Sequence, residues 1–158
     1  MNNIKLEMFK LIRTDAVNPD FINLVGLLDA DLALKDGEEH SFYSQFNKID
    51  SIKHVVVVYE NDKPVGCGAI KEHKKGMMEI KRMYTSPVSR GKGIATSVLI
   101  ELEKWAAELG CEKCILETGK RQPEAIELYK KNGYVSIPNY GQYADKENSV
   151  CFEKKLSY

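Results

Sequence analysis

The chain has 158 residues, 43% of them apolar and 29% charged, enough to bury one sizeable core without needing a second. Lys and Arg together number 23, as do Asp and Glu, so net charge is zero, which excludes a global pull toward nucleic acid or an anionic membrane. No apolar run approaches the roughly 20 residues of a membrane span, and Met1-Asn2-Asn3-Ile4-Lys5 lacks the apolar core of an export signal. The expectation is one cytoplasmic domain over residues 1–158.

In chain order, Ile4 to Ile12 reads as a first strand, and Asn18-Pro19 as the cap and first turn of a helix to about residue 33. The apolar positions Phe21, Ile22, Val25, Leu28 and Leu32 recur at helical spacing. Residues 34–50 are polar, with Gly37 and the aromatics Phe42, Tyr43 and Phe46, and suggest a loop with a short helix that covers a site. His54 to Tyr59 and Val65 to Lys71 are predicted strands, joined in a hairpin by Glu60-Asn61-Asp62-Lys63-Pro64. Met77 to Thr85 extends the meander.

After Gly93 the period becomes helical, with Ile94, Val98, Leu102, Trp105 and Leu109 on one face and Gly110 as the stop. Cys114 to Thr118 is a short buried strand. Pro123 opens another helix, which Gly133 stops, and strands near Tyr134 to Ile137 and from Val150 to Lys155 finish the chain. The fold class is α+β, a mixed, mainly antiparallel sheet of about seven strands flanked by about four helices. Of the four cysteines, Cys111 and Cys114 have redox or half-zinc spacing, but His40, His54 and His73 are scattered singly, and reduced thiols fit better.

Glu79 to Pro87 followed by Val88 to Thr96 reads as a strand, a loop and a helix start, with Gly91, Gly93, Arg90 and Lys92 where the helix begins. Unpaired N–H groups and the dipole at a helix start attract anions, and glycines admit them close to the backbone. A Walker loop fails because Gly93 follows Gly91-Lys92. A dinucleotide fingerprint fits poorly, since Thr96 stands for its third small residue and the loop is long.

Arg90-x-x-Gly93-x-Ala95 resembles the Arg/Gln-x-x-Gly-x-Gly/Ala signature of the GNAT family of N-acetyltransferases, which cradles the pyrophosphate of acetyl-CoA. Gln122-Pro-Glu-Ala125-Ile-Glu-Leu128-Tyr129-Lys-Lys-Asn-Gly133-Tyr134 is similar to the family's later Asn-x-x-Ala-x-x-x-Tyr-x-x-x-Gly-Phe segment. Gly66 to Lys71, Leu116-Glu-Thr-Gly119 and Ser149 to Leu156 resemble a bacterial small-molecule subgroup.

The resemblance implies that strands 77–85 and 114–118 splay to admit the pantetheine arm. Met83, Tyr84 and Thr85 would line it, with Gln122 in the usual Asn position, and the N–H groups of Arg90, Gly91, Lys92, Gly93, Ile94, Ala95 and Thr96 would hold pyrophosphate. It also implies an acetyl-CoA-dependent transfer to a primary amine of a small molecule in a ternary complex. No metal is called for, and a homodimer stays open. A non-catalytic acyl-CoA sensor is the alternative.

Amines of lysine-like pKa are mostly protonated at neutral pH, and the leaving thiolate needs a proton, so a base and an acid are useful. By resemblance Tyr129 stands near the CoA sulfur as acid, the Met83 N–H at the developing oxyanion, and Glu79 where some members keep a base, acting through water. Glu79 reads equally as a strand residue ion-paired with Lys81. Period-two alternation would set Glu79, Lys81 and Met83 on one face of the strand and Ile80, Arg82 and Tyr84 on the other. Phe42, Tyr43, Tyr140 and Tyr143 are candidate acceptor walls. Asp36, Glu38 and Glu39 favour a cationic acceptor, whereas Arg82 favours a carboxylate.

Overall fold

The computed structural model describes residues 9–37 and 52–157. Seven strands form one sheet in the order β1-β2-β3-β4-β5-β7-β6. They are β1 (Phe9–Thr14), β2 (His54–Glu60), β3 (Lys63–Lys74), β4 (Met77–Thr85), β5 (Lys113–Gly119), β6 (Val135–Ile137) and β7 (Ser149–Lys155). Three helices are found among the described residues, α1 (Pro19–Asp36), α2 (Ile94–Glu108) and α3 (Pro123–Lys131), against the four expected. The predicted short helix within 34–50 falls largely outside the described residues. None of the three is long and apolar enough to cross a membrane.

β2 sits between its neighbours with Val55, Val56, Val57 and Val58 all at 1% exposure or less. Such a run is what burial on both faces demands. Val55 and Val57 pack with Phe21, Leu24 and Val25 of α1, while Val56 and Val58 join Ile94, Val98, Leu99 and Leu102 of α2. Helix α1 therefore covers one face and α2 the other. The β2–β3 turn uses Asn61 and Asp62 at φ +50° and +67°, the left-handed pair a two-residue hairpin loop requires.

Asn18 caps α1 as expected, its Oδ1 accepting from the backbone N–H of Asp20 and Phe21 at 2.9 and 3.1 Å. The helix runs to Asp36, past the predicted end near residue 33. An ion pair of Lys35 with Asp31 one turn back, at 2.9 Å, supports this polar last turn. Beyond the ends of α2 and α3, Gly110 and Gly133 take φ of +88° and +90°, and both serve as the anticipated stops.

Every neighbouring pair in the sheet is antiparallel except β4 and β5. These pair in parallel over three positions alone, Met77 with Lys113, Met78 with Cys114 and Glu79 with Ile115. Beyond Glu79 the two strands part. On the other side of β4 the register with β3 jumps, because Cys67 opposes Tyr84 and Ala69 opposes Lys81. Gly68 thus faces two residues, Arg82 and Met83, and Arg82 adopts φ +57°.

This bulge overturns the simple alternation expected of β4. Met83 joins Ile80 on the α2 face, where its Sδ lies over Gly68. Arg82 stays with Glu79 and Lys81 on the α1 face and pairs with Asp29 of α1. Tyr84 packs on that face too. One extra residue in the strand shifts the period by one, so every later side chain swaps sides.

Two glycines of β3 set the distance to α2. A Cβ on Gly68 would stand 2.5 Å from Met83 Sδ and 2.7 Å from Val98 Cγ1, and one on Gly66 2.8 Å from Ile94 Cγ2. Gly68→Ala should therefore destabilise the fold by about 1–3 kcal/mol through overpacking. The unfolding midpoint should fall by about 3–10 °C, as measured by thermal denaturation, and an unchanged midpoint would show that α2 is free to move off the sheet.

Candidate active site

The parting of β4 from β5 opens a cavity of about 480 Å³. Its walls come from β4 (Ile80, Arg82, Met83, Tyr84, Thr85), the end of β5 (Glu117, Thr118, Gly119), α3 (Ala125, Leu128, Tyr129) with Gln122 before it, and α1 (Leu28, Asp31, Leu32, Lys35). A second cavity of about 650 Å³ continues from it, sharing Thr85, Arg90, Gly91, Ala95 and Leu128, and extends over Gly93, Ile94 and Thr96 at the start of α2. A trough thus runs from a helix N-terminus into the split of the sheet.

That N-terminus is built for close approach. Gly93 caps α2 in the left-handed conformation with no side-chain cap, Gly91 and Gly93 both have φ +81°, and no heavy atom lies within 4 Å of where a Cβ would stand on either. The backbone N–H groups of the first turn are open to an anion's oxygens. Arg90 borders both cavities and holds its side chain by an Nε–H bond to the Thr85 carbonyl at 3.1 Å. Lys92, expected beside it, lines neither cavity and pairs with Glu60 at 3.0 Å. Lys130 and Lys131 of α3 line the second cavity instead.

Tyr129 is 6% exposed and packs edge-on against Tyr134 with centroids 5.7 Å apart. Burial, then the nearby Glu117 carboxylate, raises its phenol above the ordinary tyrosine value, so it stays protonated through the neutral range. Gln122 borders the cavity at the mouth of α3.

Glu79 is buried at 8% exposure, and both of its oxygens are engaged. Oε1 accepts from Lys81 Nζ at 3.2 Å and Oε2 from the Tyr140 hydroxyl at 2.5 Å. Burial and then Glu79 hold the Tyr140 phenol well above its usual range. Neither Glu79 nor Tyr140 lines the cavity, whereas Tyr143, stacked edge-on to Tyr140, does. Phe42, Tyr43, Glu38 and Glu39 lie outside the described residues, as does the side chain of Asp36.

Sequence reasoning placed Glu117 at a strand end but not among the candidate site residues. It follows the apolar run Cys114-Ile115-Leu116, two positions past the last β4–β5 pair, with its Oε2 accepting from Ser149 Oγ at 2.7 Å. All four cysteines are free, and burial, then Glu103, pushes the Cys114 thiol up to about 12. The small apolar strand reading fits Cys114.

Known proteins converge on the same assignment. Residues 22–134 match the family model described as acetyltransferase (GNAT) family. A protein of Azospirillum brasilense named IAA acetyltransferase is 38% identical over 93 residues, 58% of this chain and 61% of that protein, so the match spans under two thirds of the relative's length. A solved Klebsiella pneumoniae structure assigned as an acyl-CoA N-acyltransferase superimposes with a TM-score of 0.79 at 30% identity, covering 95% of this chain and 99% of the other. A Thermoplasma acidophilum N-acetyltransferase solved in complex with coenzyme A shares the fold at a TM-score of 0.69 and 18% identity, over 93% of this chain and 98% of that one. Because the family match takes in well over half of the chain, including the split strands and the glycine-capped helix, this protein belongs to the GNAT acetyltransferase family.

Proposed function

We propose that the protein is an acetyl-CoA-dependent N-acetyltransferase, a single cytoplasmic domain that passes acetyl directly to a primary amine of a small molecule in a ternary complex. The observation that carries this reading is the continuous trough from the α2 N-terminus to the split of the sheet, with Tyr129 in its wall. The open glycines at 91 and 93 fit a pyrophosphate. The cavity between β4 and β5 fits a narrow pantetheine arm, and the coenzyme A complex of the Thermoplasma relative supports the same cosubstrate.

In this reading the N–H groups from Arg90 through Gly91, Lys92, Gly93, Ile94 and Ala95 to Thr96 hold phosphate, and the Arg90 guanidinium adds a charge-assisted contact. The β4 backbone at Met83, Tyr84 and Thr85 lines the arm, and Gln122 reaches it from the opposite wall. The Met83 N–H, beside the bulge and past the last pairing with β5, faces the developing oxyanion. Tyr129, kept protonated by its burial, gives its proton to the departing thiolate. Glu79 takes the ion-paired role, anchored by Lys81 and Tyr140. Arg82 and Tyr143 border the acceptor, with Tyr140 behind them. Asp29 neutralises much of the Arg82 charge, which weakens the preference for a carboxylate-bearing acceptor.

Acetyl-CoA or CoA at about 100 times Kd should stabilise the fold by roughly 2.7 kcal/mol, a rise in melting temperature of about 5–10 °C. NAD should give none, and a response to NAD alone would refute the cosubstrate. Tyr129→Phe should lower kcat by about 10²-fold or more while leaving the acetyl-CoA melting shift intact, read by release of CoA thiol. An unchanged kcat with chemistry limiting removes Tyr129 from the reaction, and amine-independent behaviour across a broad panel would favour an acyl-CoA sensor.

A further inference from the structure

Resting on the acetyl-transfer reading, we infer that Asp29 and Arg82 are a positioning pair, through which α1 holds the bulge of β4 in the shape that presents the Met83 N–H to the thioester carbonyl. Arg82 sits at φ +57° inside a strand, a conformation that strains most residues other than glycine and persists only where the surroundings impose it. Strain of this kind in the wall of a cavity points to a task for the bulge. Three contacts impose it. The Arg82 guanidinium pairs with Asp29 of α1, the Cys67 thiol donates to the Arg82 carbonyl at 3.4 Å, and Met83 Sδ packs over Gly68. Burial pushes the Cys67 thiol up to about 12, so the proton of that bond stays in place at neutral pH.

The Arg82 carbonyl and the Met83 N–H belong to one peptide unit. That unit is planar and trans, so its two polar groups point in opposite directions. With the carbonyl held by Cys67 of β3, the N–H is turned away from β3, toward the gap that β5 leaves beyond Glu79. Neither Arg82 nor Met83 is paired in the register with β3, so the ladder itself does not set the plane of this peptide. The side-chain anchors do.

The direction of the Arg82 side chain separates this task from contact with the acceptor. The residue borders the cavity, but its side chain is only 1% exposed and runs to α1, and Nε has no hydrogen-bond partner among the described residues. A buried guanidinium that loses its carboxylate is left uncompensated, so the pair resists any movement of the bulge away from α1. Leu28 and Leu32, which flank Asp29 on the same helix, line the cavity. The helix that walls the acceptor half therefore also holds the oxyanion donor in place.

The test reads the carbonyl stretch of bound acetyl-CoA, isotopically labelled at the thioester carbon, by difference infrared spectroscopy of wild type, Asp29→Ala, Arg82→Ala, Arg82→Gly and Arg82→Lys. No acceptor is needed for this readout. A hydrogen bond to the carbonyl lowers the stretch, so the wild-type complex should lie below free acetyl-CoA. Asp29→Ala and Arg82→Ala should return it toward the free value while keeping the acetyl-CoA melting shift, and Asp29 is half exposed, so its truncation spares the core. Arg82→Gly should keep the lowered stretch, because glycine takes φ +57° without an anchor, and adding Asp29→Ala to it should change nothing further. With an active amine, Asp29→Ala should lose about 10–10²-fold in kcat at an unchanged KM for acetyl-CoA, with Arg82→Lys keeping part of the rate. A pair that serves stability alone would make glycine no better than alanine. An Asp29→Ala stretch equal to that of wild type, Arg82→Gly matching Arg82→Ala, or a wild-type complex whose stretch is not lowered overturns the assignment. No melting shift of the wild type with acetyl-CoA overturns the cosubstrate reading, and this inference falls with it.

Discussion

Parallel pairing between β4 and β5 lasts for three residues and then stops, and the site follows from that limit. A buried backbone group without a partner costs about 1–3 kcal/mol, so a sheet does not open in its middle without reason. Here the opening faces a cavity, where water or a ligand's amides can take over the lost bonds. The bulge at Arg82 and Met83 adds a second departure on the opposite side of the same strand. Between them the two departures leave one stretch of β4 free to bind something other than a neighbouring strand.

Keeping the split open requires rigid flanks. On one side Gly66 and Gly68 bring α2 down onto β3, fixing the helix whose N-terminus faces the trough. On the other, the fully buried Glu103 of α2 accepts from Lys154 of β7 at 2.8 Å and from the Tyr134 hydroxyl at 3.0 Å. That carboxylate ties the helix to the strand beyond β5. The same tie stands beside the strands that carry Glu117 and Ser149, and Tyr129 of α3 packs edge-on against Tyr134 next to it.

Much of this was legible in the chain because it is encoded locally. Four consecutive valines can only be a strand covered on both faces, Asn18-Pro19 is a complete helix start, and glycines at 110 and 133 end helices by conformation alone. The family signature located the glycine cap by the same local logic. The β4 alternation failed because a bulge is imposed by what lies across the ladder, and Arg82, a residue with no preference for positive φ, gives no warning of it. The pairing of Lys92 with Glu60 was illegible for a similar reason, since Glu60 lies 32 residues earlier. That Glu117 borders the site could not be read, because a single carboxylate at a strand end means little until the neighbouring strand is seen to turn away.

The buried thiols have a practical consequence. Cys67, Cys114 and Cys151 are fully buried, and burial raises every cysteine's pKa, to about 12 for Cys67 and about 11 for Cys151. A disulfide dye reacts with thiolates, so these three sulfurs are nearly silent toward it in the native protein, whereas the half-buried Cys111 and free coenzyme A are not. Once the sheet opens, the same sulfurs become reactive. Their labelling rates therefore report the free energy of opening strand by strand, with Cys67 on β3, Cys114 on β5 and Cys151 on β7 as three probes nature has already installed.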